Sequence, residues 1–143
     1  MRGIEFSGCN SYTKLFQGIS ADDYDWYIYD HEIIVNQARQ KISGNIPSKE
    51  LQTLFSNSET LIIFMNLQAF PKDSPAKKIY DYDDYVCSAC SFVVLVTDVS
   101  CIEIYTKTDA DFLRFIKNAE YCQGKEIIIK TEHGDARTSF RIG

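Results

Sequence analysis

The most obvious chemical spacing in this chain is Cys87-Ser88-Ala89-Cys90. A C-x-x-C pair does redox chemistry when its first thiolate sits at a helix N-terminus, where the dipole lowers the thiol pKa. Here the pair falls near the end of a predicted helix, where the dipole opposes the thiolate. A structural zinc site needs four ligands. No second C-x-x-C exists, and Cys9, Cys101, Cys122, His31 and His133 complete a site only if the fold gathers them. Cysteine is commonly a small buried hydrophobe, so Cys87 and Cys90 read as structural. No metal and no cofactor are expected.

His133, Asp135 and Arg137 are spaced by two and would point the same way in a strand, as a general acid–base trio could. Gly134-Asp135 reads as a hairpin tip, which breaks that alternation and favours a solvated turn. Asp81-Tyr82-Asp83-Asp84 offers hard oxygen ligands for a divalent cation. It also lies at a predicted helix start, where acids are favoured by capping and the dipole, and it lacks the glycine and spacing of an EF-hand loop. No nucleophile elbow, phosphate loop or dinucleotide fingerprint is present.

A compositional feature remains. Tyr24, Trp26, Tyr27, Tyr29, Tyr80, Tyr82 and Tyr85 are interleaved with Asp22, Asp23, Asp25, Asp30, Asp81, Asp83 and Asp84. Tyrosine exposed beside acid suits a protein-binding surface with a basic partner. The partner-binding candidates are therefore Asp22, Asp23, Asp25, Tyr82, Asp83, Asp84 and Tyr85.

These residues need elements to hold them. Leu61–Met65 and Phe92–Val96 are continuous apolar runs of strand length, which read as strands covered on both faces. Between them Tyr82, Tyr85, Val86, Ala89 and Cys90 fall on one helical face. That order predicts a crossover with parallel neighbouring strands, followed by an antiparallel return over Cys101–Lys107. There Glu103, Tyr105 and Lys107 share a face opposite Ile102, Ile104 and Thr106. A second strand–helix–strand unit runs to Thr131, its helix capped by Thr108 and striped with Phe112, Phe115, Ile116 and Ala119. Asp109 and Asp111 suit that helix's positive end.

Upstream, Gly3–Ser7 alternates as a strand, and Asn10 or Ser11 caps a short helix carrying Tyr12, Leu15 and Phe16. Trp26–Tyr29 and Ile33–Val35 suggest a hairpin turning at Asp30-His31. Asn36–Asn45 is polar and compatible with a helix, and Pro47 opens a further one with Leu51, Leu54 and Phe55 inward. Phe140 and Ile142 point inward from a last strand. The expectation is a single α+β domain over residues 1–143: a mixed sheet with two strand–helix–strand units and flanking hairpins.

The chain of 143 residues has 15 Lys+Arg against 20 Asp+Glu. This modest acidic balance argues against generic nucleic-acid or anionic-membrane binding. No run approaches a membrane span or a signal core. Five cysteines without a secretory signal suggest reduced thiols in the cytoplasm. Their odd number forbids complete internal pairing.

With these residues laid out, the chain resembles an uncharacterised bacterial family, number 2691 in the domain-of-unknown-function series. The resemblance rests on Arg2-Gly3-Ile4 with Phe6; Trp26; Phe64 with Asn66-Leu67-Gln68-Ala69; and Tyr82 with Asp84, Ser88 and Cys90. It continues through Asp98, Ile104-Tyr105 with Lys107, and Asp135 with Arg137-Thr138. The family's pattern has an Asn-Asp pair before the arginine, where this chain has His133-Gly134-Asp135. The resemblance implies a compact bacterial domain and brings no activity with it. The sequence reading is thus a non-enzymatic protein-binding module using the acidic aromatic surface. The alternative is a small enzyme using His133, Asp135 and Arg137, or the Cys87/Cys90 pair.

Overall fold

The computed structural model describes residues 2–42, 44–130 and 139–140. Strand β1 (Arg2–Ser7) is followed by α1 (Tyr12–Leu15), a 3-10 turn (Ala21–Asp23) and the long strand β2 (Tyr24–Val35). Then come β3 (Ala38–Arg39), β4 (Gly44–Ile46), α2 (Ser48–Ser56) and β5 (Thr60–Pro71). α3 (Tyr82–Cys87), β6 (Phe92–Thr97), β7 (Cys101–Thr106), α4 (Asp109–Tyr121) and β8 (Lys125–Lys130) complete the order. The strands form one eight-stranded sheet, β3-β2-β5-β6-β7-β1-β8, with β4 also paired to β2. With its helices this is the α+β class expected.

The parallel pairing is corrected. Every pairing among the described strands is antiparallel. A crossover must carry the chain back along the strand, about 20 Å for six residues, whereas the six-residue α3 advances only about 9 Å. The chain therefore leaves β5 at Pro71 and re-enters at Phe92 beside Ala69, at the same end of the sheet. α3 also stops at Cys87, so Val86 and Ala89 are exposed rather than part of a buried stripe. The second unit does cross over. α4, at 13 residues, returns the chain to β8, but β1 lies between β7 and β8 and is antiparallel to both.

The hairpin expected at Asp30-His31 is likewise absent. β2 runs through it with a bulge, Asp30 taking φ 45° while the ladder to β5 slips between Tyr29 and Glu32. The reversal comes later, at Asn36-Gln37, whose φ values of 51° and 67° suit a two-residue type I′ turn between Val35 and Ala38. This is why the polar stretch after Val35 forms short strands instead of a helix.

Period-two alternation sorts the side chains. Trp26, Ile28, Phe92, Val94, Val96, Ile102 and Ile104 face the layer of α1, α2 and α4, where Leu15, Leu51, Leu54, Phe112 and Phe115 meet them. An aromatic knot holds this layer: Phe92 lies 5.1 Å from Phe115, 5.6 Å from Trp26 and 5.3 Å from Tyr24. Asn118 closes the layer, donating from Nδ2 to the carbonyls of Leu15 and Gln17, each at 2.8 Å, and so satisfying the end of α1.

The opposite face carries a smaller core of Phe70, Ile79, Tyr85, Cys90, Val93, Leu95, Tyr105 and Phe140. β6 is thus buried on both sides, as its unbroken apolar run implies. β5 is not along its whole length: Leu61 is exposed, Ile62 is buried, and the unbroken buried run begins at Met65 and includes Asn66 and Gln68. Those two amides hold chain segments that lack a strand ladder. Gln68 Nε2 donates to the Ile79 carbonyl (3.0 Å) and to Asn66 Oδ1 (3.2 Å), and Gln68 Oε1 accepts from Ile79 N–H (3.1 Å). Asn66 Nδ2 donates to the Phe140 carbonyl at 3.0 Å.

Gln68→Leu would leave both backbone groups of Ile79 unpaired inside the second core. The expected loss of stability is about 2–4 kcal/mol, read as a lowered denaturant midpoint with unchanged slope. A midpoint within error of the parent would show that water serves those groups equally well. The continuous sheet also predicts one calorimetric unfolding transition for the isolated chain; two resolved transitions would reveal a boundary inside it.

Candidate functional site

The sheet register explains which acids meet. Trp26, Ala69, Phe92, Thr106 and Arg2 lie on one line across β2, β5, β6, β7 and β1. The 3-10 turn ends three residues before Trp26, α3 ends shortly before Phe92, and α4 begins three residues after Thr106. The acidic 3-10 turn and the acidic start of α4 therefore lie at the same end of the sheet, and so does the end of α3. At about 4.8 Å per strand, three steps separate β2 from β7 by roughly 14 Å.

At the β2 side, Asp22 and Asp23 are exposed and Asp25 is half-buried. Asp22 Oδ1 accepts from Ser48 Oγ, and Asp25 Oδ2 accepts from the Asp73 N–H at 3.1 Å. Trp26 Nε1 donates to the Ala21 carbonyl at 2.9 Å and pins the turn to the core. Tyr24 stands between these acids and α4. Partial burial, then the charges of Asp111 and Asp23, raise its phenol pKa. Asp111 acts on the Tyr85 hydroxyl as well, behind the dominant effect of burial. Tyr24, Asp109 and Asp111 thus join the site, although the sequence reading assigned the two aspartates only to a helix dipole. Nothing local signals that role, because some 85 residues of chain separate Tyr24 from Asp109.

At the α3 side the candidates divide. Tyr85 is fully buried, which removes it from any contact surface. Its hydroxyl lies 3.0 Å from the Ser91 carbonyl and 3.2 Å from the Tyr105 carbonyl, sharing one proton between them. Lys107 Nζ sits 4.8 Å over its ring and donates to the Ser88 carbonyl, and burial lowers the lysine's pKa. Tyr82 is half-buried against Tyr105 and Phe140 at 5.9 and 6.5 Å. Asp81 caps α3 by accepting from Asp84 N–H at 2.8 Å, and Asp84 Oδ2 accepts from Tyr80 N–H at 3.2 Å. Asp83 and Asp84 remain exposed.

The other candidates separate just as plainly. Cys87, the last residue of α3, is exposed. Cys90 is buried, its thiol pushed up to about 12 by that burial, with Sγ 3.3 Å from the Phe92 carbonyl and 3.4 Å from that of Ala69. So weak an acid supplies little thiolate near neutrality. Among the described residues no three His, Cys, Asp or Glu side chains gather to hold a metal ion. His31 is occupied in clasping Ile42, accepting from its N–H at 3.1 Å. His133, Asp135 and Arg137 lie outside the described residues.

A further charge group went unread in the sequence. Glu103 is buried on the second face, where Tyr105 Oη donates to it at 2.9 Å and Lys130 Nζ at 3.1 Å. Lys130 also reaches Glu5 at 3.7 Å. The lysine compensates a carboxylate that burial would otherwise penalise. Gly3 leaves room for Tyr105, whose ring would lie 2.8 Å from any added Cβ.

Tyr12, Tyr24 and Tyr85 all have phenol pKa values raised above 10.0, chiefly by burial. A folded-state pKa above the unfolded one gives stability that is fully present below pH 10 and declines as pH rises beyond it. Alkaline unfolding should therefore begin above pH 10, with Tyr85→Phe showing a shallower decline. An identical alkaline profile for parent and variant would count against the buried phenol.

Most residues that carry the family resemblance on the second face turn out to build it: Asn66, Gln68, Tyr82, Asp84, Ser88, Cys90, Tyr105 and Lys107. Across its length the chain is 23% identical to the uncharacterised protein YncE of Bacillus subtilis (strain 168), the match covering 99% of each chain. No solved structure matches it. The profile of a family described as a protein of unknown function, DUF2691, matches residues 1–141, and the chain belongs to that family.

Proposed function

We propose that this protein is a non-enzymatic binding module that engages a basic partner protein through the acidic end of its sheet. The reading rests on one observation above the others: the register line brings the acidic 3-10 turn and the acidic start of α4 to the same end of the sheet, with the end of α3 beside them. Asp111 and Asp23 act on Tyr24, Asp22, Asp25 and Asp109 belong to the same turn, strand start and helix start, and Asp83, Asp84 and Tyr82 supply the α3 side. Carboxylates so grouped repel one another, and a cationic surface relieves that repulsion. Surface charge of this kind steers association more than it adds affinity. Half-buried Tyr24 and Tyr82 are pre-positioned by the core and could bury further area at little entropic cost. No helix among the described residues is long and apolar enough to cross a membrane. The module is proposed to act in the cytoplasm, without nucleic acid.

Capture on immobilised protein from a lysate of a bacterium carrying a family member, read by mass spectrometry, supplies the partner for kinetic measurement. Asp22→Asn, Asp23→Asn and Asp111→Asn in combination keep the acceptor oxygens and remove the charge. That variant should associate about tenfold more slowly at low salt, and its rate should vary little with salt. Tyr82→Ala should mainly speed release. Unchanged association rates for the charge variant at low and high salt would place the interface elsewhere.

A further inference from the structure

The cysteines that the fold brings together are not the C-x-x-C pair. Cys9 follows β1 and Cys122 caps the end of α4, 113 positions later, yet the Asn10 N–H donates to the Cys122 carbonyl at 2.9 Å. This backbone link sets the two side chains beside each other, near enough for each thiol to act on the other's proton. Cys122 is fully buried, and Cys9 is half-buried, packed against the same core. Each Sγ also lies near a local carbonyl, Cys9 at 3.3 Å from Ser11 and Cys122 at 3.4 Å from Ala119. Cys9 lines a half-open cleft of about 340 Å³ with Tyr12, Phe55, Thr60, Ile62 and Val99.

We propose that Cys9 and Cys122 form a redox-switched pair, closed to a disulfide by a water-sized hydroperoxide that enters through this cleft. The two sulfurs divide the work. Cys9 lines the cleft, whereas Cys122 is fully buried and does not, so peroxide meets Cys9 first. When Cys9 ionises, the neighbouring Cys122 S–H can donate to it and offset part of the burial that disfavours the charge.

In the first step the Cys9 thiolate, at the cleft, attacks a peroxide oxygen. An S–O bond forms, the O–O bond breaks, and hydroxide leaves to take up a proton as water. Cys122 then gives up its proton and attacks the Cys9 sulfur. An S–S bond forms, the S–O bond breaks, and a second water departs. Two thiols lose two electrons and one peroxide is reduced to two waters. The product ties the β1–α1 connection to the end of α4 and closes most of the chain into one covalent loop.

The test treats the folded full-length chain with stoichiometric hydrogen peroxide, alkylates remaining thiols after denaturation, and maps the peptides by mass spectrometry. The expected product is a Cys9–Cys122 cross-linked peptide, reversed by dithiothreitol, with a midpoint temperature raised by roughly 5 °C or more. In Cys122→Ser the partner thiol is gone, so dimedone should trap Cys9 as its sulfenic acid. Oxidised glutathione, too large for the route, should close the pair at least about tenfold more slowly than peroxide at equal concentration. Should the serine variant fail to fold, the wild-type peptide map decides. Cys9 and Cys122 both recovered alkylated after peroxide treatment, or joined to Cys87 or Cys101 instead, would overturn the proposal.

Discussion

Gln68 carries a burden out of proportion to its place in the middle of a strand. The sheet is wide, and both faces of β6 are apolar, so both must be covered. Three helices cover one face. Among the described residues the other receives six residues of α3 and the chain around Ile79 and Phe140, none of it long enough to satisfy its own backbone. A buried amide costs several kcal/mol unless paired. Gln68 and Asn66 supply that pairing from within the sheet, so apolar Ile79 and Phe140 can be buried without leaving their backbone groups stranded. The second core depends on this exchange, and with it the positions of Tyr82, Tyr85 and Lys107.

The same requirement explains what could be read from the residues alone. Helix α2 after Pro47, α4 after Thr108 and the two-sided burial of β6 follow from caps and apolar spacing, which act locally. The direction of β6 against β5 does not. A strand–helix–strand order means a parallel pair only when the helix is long enough to carry the chain back, and length is where α3 fails. The bulge at Asp30 misled in a similar way: Asp-His between apolar runs has turn chemistry, but β5 supplies partners on both sides of it, so the strand continues. Long-range pairing overrode a local preference.

The candidate site was half legible for a related reason. Aspartates beside tyrosines are visible as composition, but composition does not say which tyrosine faces inward. Tyr85 lies one helical turn from Tyr82 and yet is fully buried, because its hydroxyl finds the carbonyls of Ser91 and Tyr105 at the sheet's end. Tyr24 and Asp111 became neighbours only through the register across four strands. Cys9 and Cys122 are the extreme case: no spacing rule connects residues at opposite ends of a chain, whereas a C-x-x-C invites attention that its place at a helix end does not support.

The division between the two faces also bears on how much family membership says about function. On the α3 face, the residues by which this chain resembles its family pair backbone amides, cap a helix or fill a core. They specify how a sheet face is covered, and a covered face is a structural property that many functions can share. Asp22, Asp23 and Asp111 are not among those residues, and they neither fill a core nor cap an element that would fail without their charge. A like-charged cluster that the fold does not require is a cost that the folded chain carries alone. The acidic end is therefore to be judged by its electrostatics in this molecule, and a relative that lacked those acids could share the whole fold without sharing the partner.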